Sequence, residues 1–255
     1  MTRMTIMDGL AYIGESIYWK KRSHSVNDLL LRMEENGIDM SVITAPRPGP
    51  RYDQGNELVY DAVEQYPDKF IGVYKVNPLL GEAEITKAED SIKDWGFKGF
   101  RVDPRDDGCG MWEPTLRKLM EVASRLAVPV YLQTGGSDFC RPEEIINTAL
   151  AYPQTKIIMG TSQYAIQLAA NPKLADDLKN VYFFTHQLAA GPGGVSFLLG
   201  ALGRKGVIGA ERIVFTTETP FGHPELELKI IELSKLDETM RELILGGNLR
   251  KIMGI

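Results

Sequence analysis

Short runs of β-branched and apolar residues alternate with amphipathic helical stretches along the whole of this 255-residue chain. The spacing predicts strands over 4–7 (MTIM), 40–44 (MSVIT), 70–76 (FIGVYKV), 99–102, 128–132 (VPVYL), 156–159 (KIIM), 181–184 (VYFF) and 212–215 (RIVF). Helices are predicted over 25–36, 56–65, 83–95, 114–126, 142–151, 164–178 and 195–202, with 225–235 and 237–253 closing the chain. Ser25 reads as an N-cap and Gly37 as a stop, and Pro114 and Pro142 fit first-turn positions. Strands that each lead into a helix demand parallel pairing through crossover connections. Eight such units within about 250 residues is the size of a closed barrel. The predicted fold is therefore α/β, a single-domain (β/α)8 TIM barrel over 1–255 with a C-terminal helix. An open doubly wound sheet is the alternative. No G-x-G-x-x-G or G-x-x-x-x-G-K turn follows any strand, which weakens a nucleotide-binding reading.

Composition narrows the function classes. Lys plus Arg number 29 against 34 Asp plus Glu, a net charge of −5. That balance predicts no nucleic-acid partner and no membrane-surface role, while leaving room for a local basic pocket. The opening MTRMTIMDGLAYIG lacks a secretory pattern, and no apolar run is long enough to span a bilayer. Two cysteines, Cys109 and Cys140, are too few for a disulfide framework and fit a reducing compartment. A cytoplasmic location is the expectation.

A barrel places its chemistry at the C-terminal ends of its strands. That rule selects Asp8, Leu10 and Tyr12 after the first strand, Arg47 and Arg51 after the second, and Lys75 and Asn77 after the third. It selects Arg101 and Asp103 after the fourth, Gln133 after the fifth, and Thr161 and Tyr164 after the sixth. His186 follows the seventh strand and Glu218 the eighth. Of the three histidines, His24 reads as solvated beside KKR and His223 as a neighbour of the last barrel helix. His186 alone directly follows a strand. So few histidines make a zinc site of three or four His/Cys ligands hard to assemble. The two cysteines read as inert thiols. Trp19, Trp112 and Phe139 read as loop positions suited to a pocket or an interface.

Segment by segment, the chain resembles the amidohydrolase-related family, which includes aminocarboxymuconate-semialdehyde decarboxylase. MDGLAYIGE stands where that family reads I-D-x-H-x-H-x-G. YPDKFIGVYKVNP is similar to P-x-R-F-x-G-x-x-x-x-x-P, and GFKGFRVDP resembles its G-x-K-G-I strand. VPVYLQTGG stands for P-V-x-x-H-x-G, TKIIMGTSQ for K-I-I-x-G-H, and RIVFTTETPFG for R-I-L-F-G-S-D-x-P-F. NLRKIMG resembles the closing N-A-x-R. The fragments keep the family order over essentially the whole chain. The family's metal-binding positions, carried over residue by residue, fall on Leu10, Tyr12, Gln133, Thr161 and Glu218. Only Glu218 keeps a carboxylate, and zinc prefers imidazole, thiolate and carboxylate.

The resemblance thus implies an amidohydrolase-like barrel that acts without the family metal, and no cofactor is expected. A hard-cation site of Asp8, Asp103 and Glu218 is the alternative on this point. Glu218 is the expected general acid or base and His186 a second proton-transfer group. Arg101 is the expected clamp for a planar anion, with pairing to Asp103 or Glu218 as its purely structural role. Tyr12 and Gln133 are expected to donate to an oxyanion, with Arg47 in a covering loop and Asp103, Thr161 and Tyr164 beside the substrate. The expected substrate is a small carboxylic acid or lactone, and the family resemblance implies a small organic or aromatic acid. The expected reaction is acid–base hydrolysis, or decarboxylation and related lyase chemistry. A catalytically inactive barrel that binds a small anion or a protein partner is the competing reading. The resemblance also implies a homodimer or larger homo-oligomer.

Overall fold

The computed structural model describes residues 4–16, 24–46, 52–133, 138–160, 178–186, 209–234 and 236–255. Every strand ladder in it is parallel. β1 (Met7–Tyr12) pairs with β2 (Met40–Thr44), and β2 pairs with β3 (Phe70–Gly72). A second ladder runs in order through β4 (Tyr74–Lys75), β5 (Phe100–Val102), β6 (Val130–Leu132), β7 (Ile157–Met159), β8 (Val181–Phe184) and β9 (Ile213–Val214).

Two seams join the ladders into a barrel. β3 and β4 are halves of one strand that changes partner at Val73, whose N–H donates to Ile43 O at 2.9 Å while Tyr74 N–H donates to Gly99 O at 3.0 Å. At the other seam Gly9 N–H donates to Phe215 O (2.8 Å), Glu218 N–H to Leu10 O (3.0 Å) and Tyr12 N–H to Thr219 O (2.8 Å). Gly9 is required at this seam. A Cβ there would stand 2.6 Å from Val214 Cγ1 and 2.9 Å from Phe215 O.

The first strand differs from its sequence reading. It begins at Met7, where the predicted strand ends, and carries Asp8, Leu10 and Tyr12 within it. Asp8, Gly9 and Ala11 lower its apparent strand propensity, yet every residue of β1 is buried. A strand covered on both faces shows no alternation for a sequence reading to detect.

Ser25 caps Val26–Glu35 in a full capping box, with Asp28 N–H donating to Ser25 Oγ at 3.1 Å and Ser25 N–H to Asp28 Oδ2 at 2.9 Å. The helix predicted from 56 begins at Tyr52, and a short helix, Pro104–Asp107, follows β5. Prolines open Pro114–Leu126, Pro142–Ala151 and Pro224–Leu233. The helices predicted over 164–178 and 195–202 lie almost wholly outside the described residues. The C-terminal stretch divides into Glu238–Glu242, a π-helical turn Leu243–Gly247 and Asn248–Met253.

That last helix closes the floor of the barrel. Leu249, Ile252 and Met253 pack with Met7, Val42 and Ile71 in the interior cluster. Lys156, just before β7, donates to its last carbonyls at Lys251 (3.1 Å) and Ile252 (2.9 Å). With the N-terminal end of the strands plugged, polar groups gather toward the opposite end. Among the described residues no helix is long and apolar enough to cross a membrane.

Candidate active site

The strand register lines up three polar side chains inside the barrel. Lys75 on β4 pairs with Arg101 on β5, and Arg101 pairs with Tyr131 on β6. Residues at one register position of parallel strands project to the same face, and all three are at most 1 % exposed. A charged layer inside a barrel must be neutralised locally. Asp103 does this from the end of β5. Its Oδ2 lies 2.8 Å from Lys75 Nζ and its Oδ1 2.9 Å from Arg101 Nη2. Lys75 Nζ also reaches Asp107 Oδ2 at 3.2 Å, and Asp107 in turn accepts from the Tyr52 hydroxyl. Burial raises the Asp107 carboxyl above the usual range against the pull of Lys75.

Arg101 donates from Nη2 to Gln133 Oε1 at 2.9 Å, and its guanidinium lies 5.1 Å from the centre of the Tyr12 ring. The Tyr12 ring meets Phe221 edge-on at 5.3 Å. Burial disfavours the Arg101 charge, but Asp103 beside it more than offsets this and holds it cationic. Nε and Nη1 of Arg101, and the hydroxyl of Tyr131, are buried with no hydrogen-bond partner among the described residues.

A second group faces this layer from the last strands. His186 Nε2 lies 3.6 Å from Glu218 Oε2, and Nδ1 lies 3.1 Å from Glu227 Oε1 on Pro224–Leu233. Burial disfavours the charged ring, yet the Glu227 contact and the Glu218 charge outweigh it and raise the His186 pKa. Nδ1 is within hydrogen-bond distance of Glu227, while the 3.6 Å separation of Nε2 from Glu218 is a charge contact that favours the imidazolium form. Glu218 itself sits at φ 50°, in the left-handed region. Its carbonyl accepts from Phe221 N–H (2.8 Å) and Gly222 N–H (3.2 Å). This tight turn aims Glu218 at His186. Gly222 has no room for a side chain, since its Cβ would stand 2.0 Å from Thr217 O and 2.7 Å from the His186 ring.

Asp8 completes the wall. It accepts from Thr217 N–H (2.9 Å), Thr217 Oγ1 (2.5 Å) and Leu10 N–H (3.2 Å). Burial still pushes its carboxyl up to about 7 despite these bonds.

The barrel therefore brings together Glu218, His186, Arg101, Tyr12, Asp103 and Gln133, carried on β1, β5, β6, β8 and β9 and the loops after them. Arg101 pairs with Asp103, the structural role anticipated for it. Arg47, Thr161 and Tyr164, like Arg51 and Trp19, lie outside the described residues. His24 departs from expectation. It is buried, with Nδ1 3.4 Å from Tyr12 O, because its backbone bridges to Gly14. Cys109 and Cys140 are buried and neither forms a disulfide, and burial pushes the Cys109 thiol up to about 12. Trp112 and Phe139 are both exposed, their rings 6.2 Å apart. Sequence reasoning missed Tyr131, Asp107, Tyr52 and Glu227. A tyrosine inside a predicted barrel strand is the available signal for Tyr131. Glu227 carries none, since it reads as one charge among several on an amphipathic helix.

The amidohydrolase family profile matches residues 22–255. No curated protein matches the chain. Among solved structures the chain is similar to 5-carboxyvanillate decarboxylase from Sphingomonas paucimobilis, with a TM-score of 0.78, 12% identity and coverage of 99% of this chain and 100% of that one. It is similar to 2,6-dihydroxybenzoate decarboxylase from Rhizobium, with a TM-score of 0.74, 17% identity and coverage of 100% and 99%. It is also similar to a dihydroxybenzoic acid decarboxylase from Polaromonas sp. JS666, with a TM-score of 0.77, 18% identity and coverage of 99% and 97%. At these identities the likeness is one of fold.

The Polaromonas enzyme was crystallised with manganese and the inhibitor 2-nitroresorcinol. That finding corrects the expectation that no cofactor is involved. The described residues alone do not form a cation site. None of them assemble three or more His, Cys, Asp or Glu side chains around one point. Asp8 is held by Thr217 and Leu10, Asp103 by Lys75 and Arg101, and the Nδ1 of His186 by Glu227. The proposed trio of Asp8, Asp103 and Glu218 is accordingly not assembled. Asp103 belongs to the cationic layer and Asp8 to the Thr217 turn.

Proposed function

This chain belongs to the amidohydrolase family, and from that premise we propose that it is an enzyme acting on a small aromatic carboxylic acid, by decarboxylation. One observation carries the reading: a buried, permanently charged guanidinium whose Nε and Nη1 have no partner among the described residues. Such donors call for an anionic acceptor, and guanidinium matches a carboxylate in shape as well as charge. The neighbours of like fold named as decarboxylases of aromatic acids support the same substrate class.

In this reading Arg101 holds the acid, with Asp103 and Gln133 fixing the guanidinium through Nη2. Tyr12 and Phe221 supply an aromatic wall. The bond from ring carbon to carboxylate breaks and releases carbon dioxide. The electron pair left on the ring carbon takes a proton, which His186 holds between Glu218 and Glu227. A largely buried imidazole whose pKa is raised by the carboxylates beside it suits that transfer. No step is assigned to a cation, because the described residues do not compose its site. The assay is nevertheless run with manganese present, since a neighbour of this fold carries it.

The test is a panel of hydroxylated benzoic acids, followed by loss of ultraviolet absorbance and by carbon dioxide release. Turnover by the native chain that falls at least about 100-fold in His186→Gln supports the reading. Turnover of lactones or esters but of no acid would replace decarboxylation with hydrolysis.

A further inference from the structure

Tyr131 sits at the centre of β6, fully buried, directly opposite Arg101 in the strand register. Its ring packs on Phe184 at 5.7 Å. Packing alone would be served better by phenylalanine. A buried hydroxyl with no partner among the described residues costs free energy that a Phe would not. Arg101 is the register partner of Tyr131 and its charge acts on the hydroxyl, and its Nε and Nη1 are equally unpartnered among the described residues. The nearby carboxylate, Asp8, is already held by Thr217 and Leu10. Three buried donors on adjacent strands are answered together by an oxyanion with two or more acceptor atoms and no donor of its own.

We infer that Tyr131 is a specificity-determining residue, its hydroxyl donating to the same substrate carboxylate that Arg101 holds, so that the site takes aromatic carboxylates in preference to their neutral amides. The inference rests on the acid-substrate reading above. The phenol remains a donor throughout the working range, because burial holds its pKa well above the ordinary value. Phe184, packed against the Tyr131 ring, limits its freedom and fixes where the hydroxyl stands.

The test is calorimetric titration of the full-length chain with benzoate, using benzamide as the uncharged control, for the native protein, Tyr131→Phe and Arg101→Gln. Thermal melting of each ligand-free protein accompanies it. The expected result is benzoate binding about tenfold or more weaker in Tyr131→Phe, the size of a hydrogen bond to a charged group. Benzamide should bind the native protein at least about tenfold more weakly than benzoate, that difference should narrow in Tyr131→Phe, and the variant should melt at the native temperature or above it. Benzoate binding that Arg101→Gln loses and Tyr131→Phe keeps would overturn the role of Tyr131 and leave that of Arg101 standing. A native protein that takes benzamide as well as benzoate would overturn the acid reading itself. A Tyr131→Phe variant that melts lower and loses both probes alike would show a structural hydroxyl and overturn the inference.

Discussion

Arg101 reaches Asp103 and Gln133 through a single nitrogen, Nη2, at 2.9 Å each. The guanidinium is thereby oriented by one corner while Nε and Nη1 stay unengaged among the described residues. Fixing an arginine by one nitrogen leaves the rest of its planar donor set for a ligand. Arg101→Lys keeps the charge and loses the fork. Its KM for an acid substrate should rise at least about tenfold, equivalent to about 1.4 kcal/mol, while its fold is preserved. Steady-state kinetics beside a circular dichroism melt check this. An unchanged KM would mean the guanidinium serves only Asp103.

Much of the fold was legible because strand and helix periods differ and repeat. β2 is matched to the residue, and Ser25, Pro114 and Pro142 mark their helix starts as their chemistry dictates. β1 was misplaced because burial on both faces removes the alternation that marks a strand. In the site, Arg101, Asp103, Gln133, His186 and Glu218 were legible because a barrel gathers at its mouth the residues that end each strand. Tyr131 was not, since its role depends on standing beside Arg101 across a ladder. Glu227 was not, since it is brought to His186 from 41 residues away by the packing of a helix.

Asp8 should make stability depend on pH. Burial raises its carboxyl from 3.8 to about 7, so the native state binds the proton more tightly than the unfolded chain. Stability therefore falls as pH rises between those values, by at most about 4 kcal/mol at 1.36 kcal/mol per pH unit. Asp8→Asn has no proton to lose. Urea denaturation at pH 5 and pH 8 should show the native protein losing stability relative to Asp8→Asn across that interval. Parallel profiles would show that Asp8 is ionised throughout.

Glu227 should set the protonation of His186. Its contact with Nδ1 at 3.1 Å raises the histidine against the effect of burial. Glu227→Gln removes the charge and keeps the shape, so the His186 ring should lose its proton at lower pH than in the native protein. With three histidines in the chain, an NMR titration of the imidazole protons resolves each one. The alkaline limb of the activity profile should move down with it, because the proton donor is then neutral sooner. A His186 titration unmoved by the substitution would remove Glu227 from the site.

Gly9 should tolerate no side chain. Its Cβ would stand within 3 Å of Val214, Thr216 and the Phe215 carbonyl, at the seam where β1 closes on the last strand. Overpacking of this kind costs about 1–3 kcal/mol, and more where backbone is the obstacle. Gly9→Ala should lower the urea midpoint accordingly, while the Gly96→Ala control, at a turn with open space around it, carries only the strain of its left-handed backbone.

Lys75 stands between Asp103 and Asp107 at 2.8 and 3.2 Å, with all three groups at most 2 % exposed. Removing the ammonium leaves two buried carboxylates to one guanidinium, and an uncompensated buried charge costs about 3–5 kcal/mol. Lys75→Met should therefore destabilise by about that amount. Asp107 is the partner not shared with Arg101, so neutralising it should relieve the imbalance while leaving the Asp103–Arg101 pair intact. The double variant Lys75→Met/Asp107→Asn is then expected to be more stable than Lys75→Met alone, a positive coupling that independent sites would not show. Equilibrium unfolding of the four proteins in the cycle measures it. Strict additivity would mean that Asp107 is balanced by Tyr52 and needs no lysine.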